Sequence, residues 1–163
     1  RRLGLIMSLY GVDTVLLRTE DTSLHSEGAS TLREKKVSDL HNRVDRVNSI
    51  DNAVLISIHQ NSYSDSQYSG AQVFFAPTAG SQAFGEYAQE VLRVSLNPDN
   101  TRQTKQIPDT VYLMNHITCR AILVECGFLS NPEEDQLLQT PGYQLKLAAA
   151  LAGAYLQYER IDS

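Results

Sequence analysis

Ala121-Ile122-Leu123-Val124-Glu125-Cys126-Gly127-Phe128-Leu129-Ser130-Asn131-Pro132-Glu133-Glu134 is the stretch that decides the fold class. Four consecutive apolar residues bounded by a later glycine and proline read as a strand buried on both faces, the kind found inside α/β sheets. The run meets a carboxylate and then a helix start. Asn131 can cap, Pro132 suits the first helical position, and Glu134 stands where a capping box wants a carboxylate. A second run, Ala53-Val54-Leu55-Ile56, leads into Ser57-Ile58-His59-Gln60-Asn61. Each run thus ends on a residue able to bind metal or move protons, at the strand exits where open α/β sheets form their sites.

Around these two runs strand-like and helical patterns alternate. Residues 3–10 form a helical stub closed by Gly11, and residues 12–18 read as a strand. A polar loop follows to Ser30. From Val37 the apolar positions Leu40, Val44 and Val47 recur at helical spacing. Residues 70–76 read as a strand, Phe84 to Leu92 as an amphipathic helix, residues 97–108 as loop and residues 111–114 as a short strand. Thr140-Pro141 opens a last helix whose expected buried face is Leu145, Ala148, Leu151, Ala152, Tyr155 and Leu156. The expected fold class is therefore α/β: a mixed, mostly parallel twisted sheet with helices on both faces, in a single domain.

Composition agrees. The chain has 163 residues, enough for one sizeable core, with 42% hydrophobic and 20% charged residues, as in ordinary globular domains. A net charge of -5 argues against a nucleic-acid binder, which presents a basic face. No apolar run approaches the roughly 20 residues that span a bilayer. Cys119 and Cys126 do not form a C-x-x-C pair, and two thiols make no disulfide framework.

The chemistry-bearing residues each admit two readings. His59 at a strand exit can ligate metal or shuttle protons, or it can bond backbone at a sheet edge. Glu125 ends a buried run, where a carboxylate is costly unless paired, metal-bound or protonated, and where desolvation raises its pKa toward the range of a general base. The alternative for Glu125 is a structural carboxylate paired with an arginine or capping amides. Cys126 points to the face opposite Glu125 and reads as a small buried residue; a Cys126–His59 or Cys126–His116 nucleophile is the rival. His116 lies in the loop before the last strand, either facing the edge that holds Glu125 or simply exposed. Arg43 reads as a packing or ion-pair residue.

Taken together, these segments resemble the zinc-dependent N-acetylmuramoyl-L-alanine amidases, the cell-separation and sporulation amidases of bacteria. Ser57-Ile58-His59-Gln60-Asn61 matches an "S-I-H-x-N" segment, and residues 123–134 match the long "L-V-E-x-G-F-x-S-N-x-x-E" signature. Leu17-Arg18-Thr19 and Leu40-x-x-Arg43-x-x-x-x-Asn48 resemble flanking segments of the same family. The resemblance implies a zinc ion held by two histidines and a glutamate, with His59 as the second histidine and Glu125 as the catalytic base. The other two ligands belong in the family to a "D-P-G-H-G-G" loop and to a glutamate early in the first helix. Both are expected upstream of Arg1, so residues 1–163 are expected to be an amidase catalytic domain truncated at its amino terminus. Asn61, His116 and the main-chain amides around Gly127 are the candidate substrate contacts. The short loop from Glu20 to Glu34 implies no built-in plug and a form closer to the sporulation amidases.

The implied reaction is hydrolysis of the amide between N-acetylmuramic acid and L-alanine. The implied setting is outside the cytoplasmic membrane, in the cell envelope, periplasm or medium, or in the spore cortex compartment. The substrate partner is peptidoglycan, an activator protein is left open, and membrane association is expected only through a missing amino-terminal signal or anchor. Two other classes remain open at this point: an inactive amidase-fold module that binds peptidoglycan or a protein partner, and a related zinc exopeptidase.

Overall fold

The apolar run that opens at Ala121 forms the strand around which the sheet is built. The computed structural model describes residues 1–20 and 22–162. In chain order the elements are α1 (Arg2–Leu9), α2 (Leu32–Asn48), β1 (Val54–Asn61), β2 (Gln72–Phe75), α3 (Ser81–Leu96), β3 (Lys105–Gln106), α4 (Tyr112–His116), β4 (Arg120–Phe128), α5 (Pro132–Gln139) and α6 (Pro141–Asp162). The sheet order is β1-β4-β2-β3. β1 runs parallel to β4 and β2 parallel to β3, while β2 meets β4 antiparallel. The sheet is mixed and mostly parallel, with helices on both faces, as the alternating pattern predicts.

Side chains along a strand alternate between faces, and here that alternation divides the core in two. Val73, Ile122, Val124 and Cys126 face α3 and α6, packing with Phe84, Ala88, Leu92, Leu151 and Tyr158. Ala121 and Leu123 face the other way, toward Val47 of α2 and Met114 of α4. The helices on the second face are held by caps and long-range side-chain bonds. Thr31 and Glu34 close a reciprocal capping box at the start of α2. At its end Asn48 donates to the His116 carbonyl at 3.1 Å and accepts from the Thr118 amide at 2.9 Å, fixing α2 against the segment that enters β4.

Four expectations need correction. Residues 12–18 form no strand: Leu17 packs under the sheet, but Val15 and Leu16 stay exposed, and no described strand lies beside the segment to accept its hydrogen bonds. Residues 112–116 are a helical turn, because Met114 drops into the core while the Asn115 side chain donates back to the carbonyls of Pro108 and Val111. Lys105 and Gln106, expected in a loop, pair with β2. On α6, Leu145 of the expected face is exposed, whereas Ala148, Leu151 and Ala152 are buried and Tyr155 packs on the same core; the buried stripe also takes in Leu147, Ala154 and Tyr158.

Candidate active site

Because β1 and β4 are parallel, their carboxyl ends lie at one edge of the sheet. His59 and Glu125 are partners in the ladder between them, so their Cα atoms are separated by about one strand spacing, near 4.8 Å, and their side chains rise from the same face. That face is the one covered by α2 and α4. Ser57, two residues before His59, shares it, and its hydroxyl lies 3.1 Å from His59 Nε2. The ladder slips between His59 and Asn61, where a bulge marks the end of pairing. The two strand exits are then tied together: the Leu129 amide donates to the Asn61 carbonyl at 2.8 Å, and the Tyr63 amide donates to Ser130 Oγ at 3.0 Å.

Glu125 is the unusual group. Its Oε2 is buried and has no hydrogen-bond partner, and burial pushes its carboxyl above the ordinary range. An orphaned carboxylate oxygen next to an imidazole is costly to keep unless it has work with a proton or a cation. His59 is shifted the other way. Partial desolvation, with the positive charge of Arg43 behind it, holds the imidazole below its usual value and favours the neutral, ligating form. Arg43 itself is paired with Asp39 at 2.7 Å, and Asp39 also accepts from the Leu24 amide at 2.6 Å and from Ser23 Oγ at 3.2 Å. The loop that precedes α2 is thereby fastened to the helix face beside the site. Asp39 carries no sequence signal for this role, since its loop partners lie 15 and 16 residues away.

The other candidates fall in different places. Cys126 points into the α3/α6 core, and burial, with the Glu125 charge second, pushes its thiol up to about 12, so it is a core residue and no nucleophile. His116 ends α4, ahead of Arg120, where β4 begins. It therefore lies beyond the amino end of the strand, and Arg120 is itself about 16 Å of extended chain away from Glu125. The His116 ring stacks on Tyr112 with centroids 3.8 Å apart, and its Nδ1 is 2.8 Å from the Tyr112 carbonyl. Asn61 sits at the site edge itself, where its side-chain oxygen accepts from the Ser62 amide at 2.8 Å. Gly127 is buried, and a Cβ there would lie 3.2 Å from Glu134 Oε2; the glycine makes room for that carboxylate.

Glu134 does not close the expected capping box. Asn131 alone caps α5, accepting from the Glu133 and Glu134 amides. The Glu134 carboxylate instead takes the Phe128 amide at 2.8 Å and the Gly70 amide at 2.8 Å. One side chain thus joins the exit of β4 to the loop that enters β2, which the spacing of the signature alone does not reveal.

The donors at this edge suit part of a zinc centre. A neutral imidazole and a desolvated carboxylate with a free oxygen, side by side, fit one ligand and one proton acceptor. Among the described residues no group of three or more His, Cys, Asp or Glu side chains stands close enough to hold a metal. His59 and Glu125 therefore fit a portion of such a centre, and no further ligand is assigned.

Comparison with known proteins extends this geometry to a lineage. The family model described as N-acetylmuramoyl-L-alanine amidase matches residues 1–156. The germination-specific N-acetylmuramoyl-L-alanine amidase of Bacillus subtilis is 37% identical over 149 residues, covering 91% of this chain and 62% of that protein. The amidase AmiA of Salmonella typhimurium is 24% identical over 196 residues, covering 94% of this chain and 63% of its own length. The chain thus spans a little over three fifths of these curated relatives. Among solved structures, the CwlD amidase from Clostridioides difficile, in complex with the GerS lipoprotein, superposes with a TM-score of 0.92 at 31% identity, covering 98% of this chain and 82% of that one. With nearly the whole chain matched by the family model and the His59–Glu125 pair at the exits of its two parallel strands, this chain belongs to the N-acetylmuramoyl-L-alanine amidase family.

Proposed function

We propose that this chain is the catalytic part of a peptidoglycan amidase that cleaves the bond between N-acetylmuramic acid and L-alanine, with Glu125 as the general base and His59 as one zinc ligand. The observation that carries the reading is the ladder pairing of His59 with Glu125, whose buried Oε2 has no partner. Zinc at this edge would supply polarisation of the amide carbonyl and would lower the pKa of a water to about 7. Glu125 takes a proton from the attacking water and later delivers it to the leaving amine of alanine. Its raised pKa suits both halves of that transfer, since the same carboxyl must accept and then donate. His59 is kept neutral, as ligation demands, by desolvation and by Arg43. Asn61, at the strand exit, is assigned the role of orienting the acyl side of the substrate.

The named relatives support the setting as well. A germination-specific amidase and one solved with a lipoprotein are both close in sequence, and they support an exported enzyme acting on cell-wall or spore-cortex peptidoglycan, with a protein partner. Among the described residues no helix is long and apolar enough to cross a membrane.

Glu125→Gln tests the reading. The variant is expected to keep its fold and its zinc content while release of stem peptides with free amino-terminal L-alanine disappears. Substantial hydrolysis by the variant, or release of single amino acids instead of intact stem peptides, sinks it.

A further inference from the structure

The edge that holds Glu125 continues past it. β2 runs antiparallel to β4, and Gln72 is the ladder partner of Glu125, so its side chain rises from the same face about one strand spacing away. Gln72 is buried and accepts from Arg102 at 3.1 Å. Arg102 also donates to the Ser69 carbonyl at 2.7 Å, and its guanidinium lies over the Phe128 ring at 4.5 Å and the Tyr68 ring at 5.7 Å. All of these partners are neutral. Among the described residues no carboxylate stands within ion-pair distance of Arg102.

A half-buried cation oriented by two hydrogen bonds and two aromatic faces is held ready at some cost in desolvation, with its charge uncompensated. It lines an open groove of about 530 Å³ with Tyr68, Gln72, Asn100 and Lys105, while Asp99 is the one carboxylate among the lining residues. The backbone here is fixed as tightly as the side chain. Asn100 donates to the Ala71 carbonyl at 2.8 Å and accepts from the Arg102 amide at 3.1 Å. Gly70, with φ of +93°, leaves the space Asn100 needs: a Cβ there would come within 2.5 Å of Asn100 Oδ1.

We infer that this groove is a subsite for a carboxylate on the peptide side of the scissile amide, held by Arg102 with Lys105 at its rim. The inference rests on the amidase reading above, which fixes what the substrate looks like. The sugar side offers no anion at this distance, because the lactyl carboxyl of muramic acid is itself consumed in the amide. The residue that follows alanine is a glutamate joined through its side chain, which leaves an α-carboxyl free or amidated. At about 3.5 Å of extended chain per residue, that group is within reach of a guanidinium one strand beyond Glu125. With Nε and Nη1 held by Ser69 and Gln72, the Nη2 of Arg102 is left to donate a charge-assisted hydrogen bond to a carboxylate, which a neutral amide does not match.

The test uses two probes that differ in one charge, N-acetylmuramoyl-L-alanyl-D-isoglutamate and N-acetylmuramoyl-L-alanyl-D-isoglutamine, with the full-length zinc-loaded protein. kcat/KM is measured for both, and, independently of turnover, the Kd of the two free dipeptides by NMR titration. The wild type is expected to favour the carboxylate about 10-fold or more in both measurements, the strength of one charge-assisted hydrogen bond. Arg102→Gln brings the ratio toward one, Arg102→Lys restores part of it, and Lys105→Gln lowers it only a few-fold. A purely structural Arg102 would weaken both probes equally and leave the ratio intact; that result, or a wild-type ratio near one, overturns the proposal. If Arg102→Gln does not fold, the wild-type and Lys105→Gln ratios still decide. Binding that discriminates without any hydrolysis upholds the subsite and overturns the amidase reading, so the two can fail separately.

Discussion

On its α3/α6 side the centre of the sheet is dry, with Arg120 at the start of β4 paired to Glu159 at its margin. Phe84, Leu92, Ile122, Val124 and Leu151 are all essentially inaccessible, and the alternation along β4 continues without interruption to Cys126. On its α2/α4 side the same strands begin with Ala121 and Leu123 and then change character, presenting Ser57, His59, Gln72 and Glu125 toward the edge. The contrast shows how one sheet separates two demands. The larger of the two apolar cores lies on one face, so the other can tolerate a carboxylate oxygen without a partner and a cation without a counterion. Each face should therefore fail differently when altered.

The largest effect is expected from the polar face. Glu125→Gln should lower kcat/KM by about 10²–10⁴-fold, or roughly 3–5 kcal/mol of barrier, the usual worth of a general base. The same variant should be at least as stable as the wild type at neutral pH. The sign follows from the raised carboxyl: the folded state holds that proton more tightly than the unfolded chain, so wild-type stability rises as pH falls through the folded pKa toward the ordinary carboxylate value. Urea unfolding of both proteins at pH 7 and pH 5 checks this, and a large loss of stability in Glu125→Gln would erase the distinction between the faces.

Leu151→Ala is the mirror experiment. It should cost about 2–5 kcal/mol by opening a cavity between α6 and the sheet, while the molecules that stay folded keep their kcat. A drop in kcat at unchanged fold would mean that the dry face reaches into the chemistry.

Smaller effects sharpen the comparison on the α2 side. Arg43→Gln should raise the His59 pKa, because a positive charge that disfavours imidazolium is removed; desolvation, the larger cause, remains. An NMR titration of the metal-free protein reads this directly, and an unchanged or lowered value would rule out the charge argument. The smallest effect belongs to the helix start. The capping-box amides and the Ser30 hydroxyl hold Glu34 at about 2, so its contribution is present above the ordinary carboxylate range and is lost as pH falls from about 4.5 toward 2. The gap in urea midpoint between wild type and Glu34→Gln should be measurable at pH 7 and should close at pH 2.

What is legible in the amino-acid sequence is local. The two apolar runs, the helical spacing from Val37 and the Asn131-Pro132 start all reflect interactions within a few residues of chain, and each forms the element it announces. His59 and Glu125 stand out one at a time. Their pairing does not, because parallel register is set by contacts 66 residues apart. The same limit hides Asn48, Glu134 and Arg102, whose work lies with His116, Gly70 and Ser69. Residues 12–18 mislead for the converse reason: β-branched residues state a preference, and only a neighbouring strand turns it into a ladder.

Glu125 and Cys126 are adjacent, yet one looks into the site and the other into the core. A slip of one residue in the β4 register would exchange them, driving a carboxylate into the dry layer and lifting a thiol to the edge. The penalty for misalignment is thus concentrated at the spot where alignment matters most. Chains that zip up one step out of phase are rejected by the core itself, so the sheet proofreads the placement of the carboxylate proposed as its base.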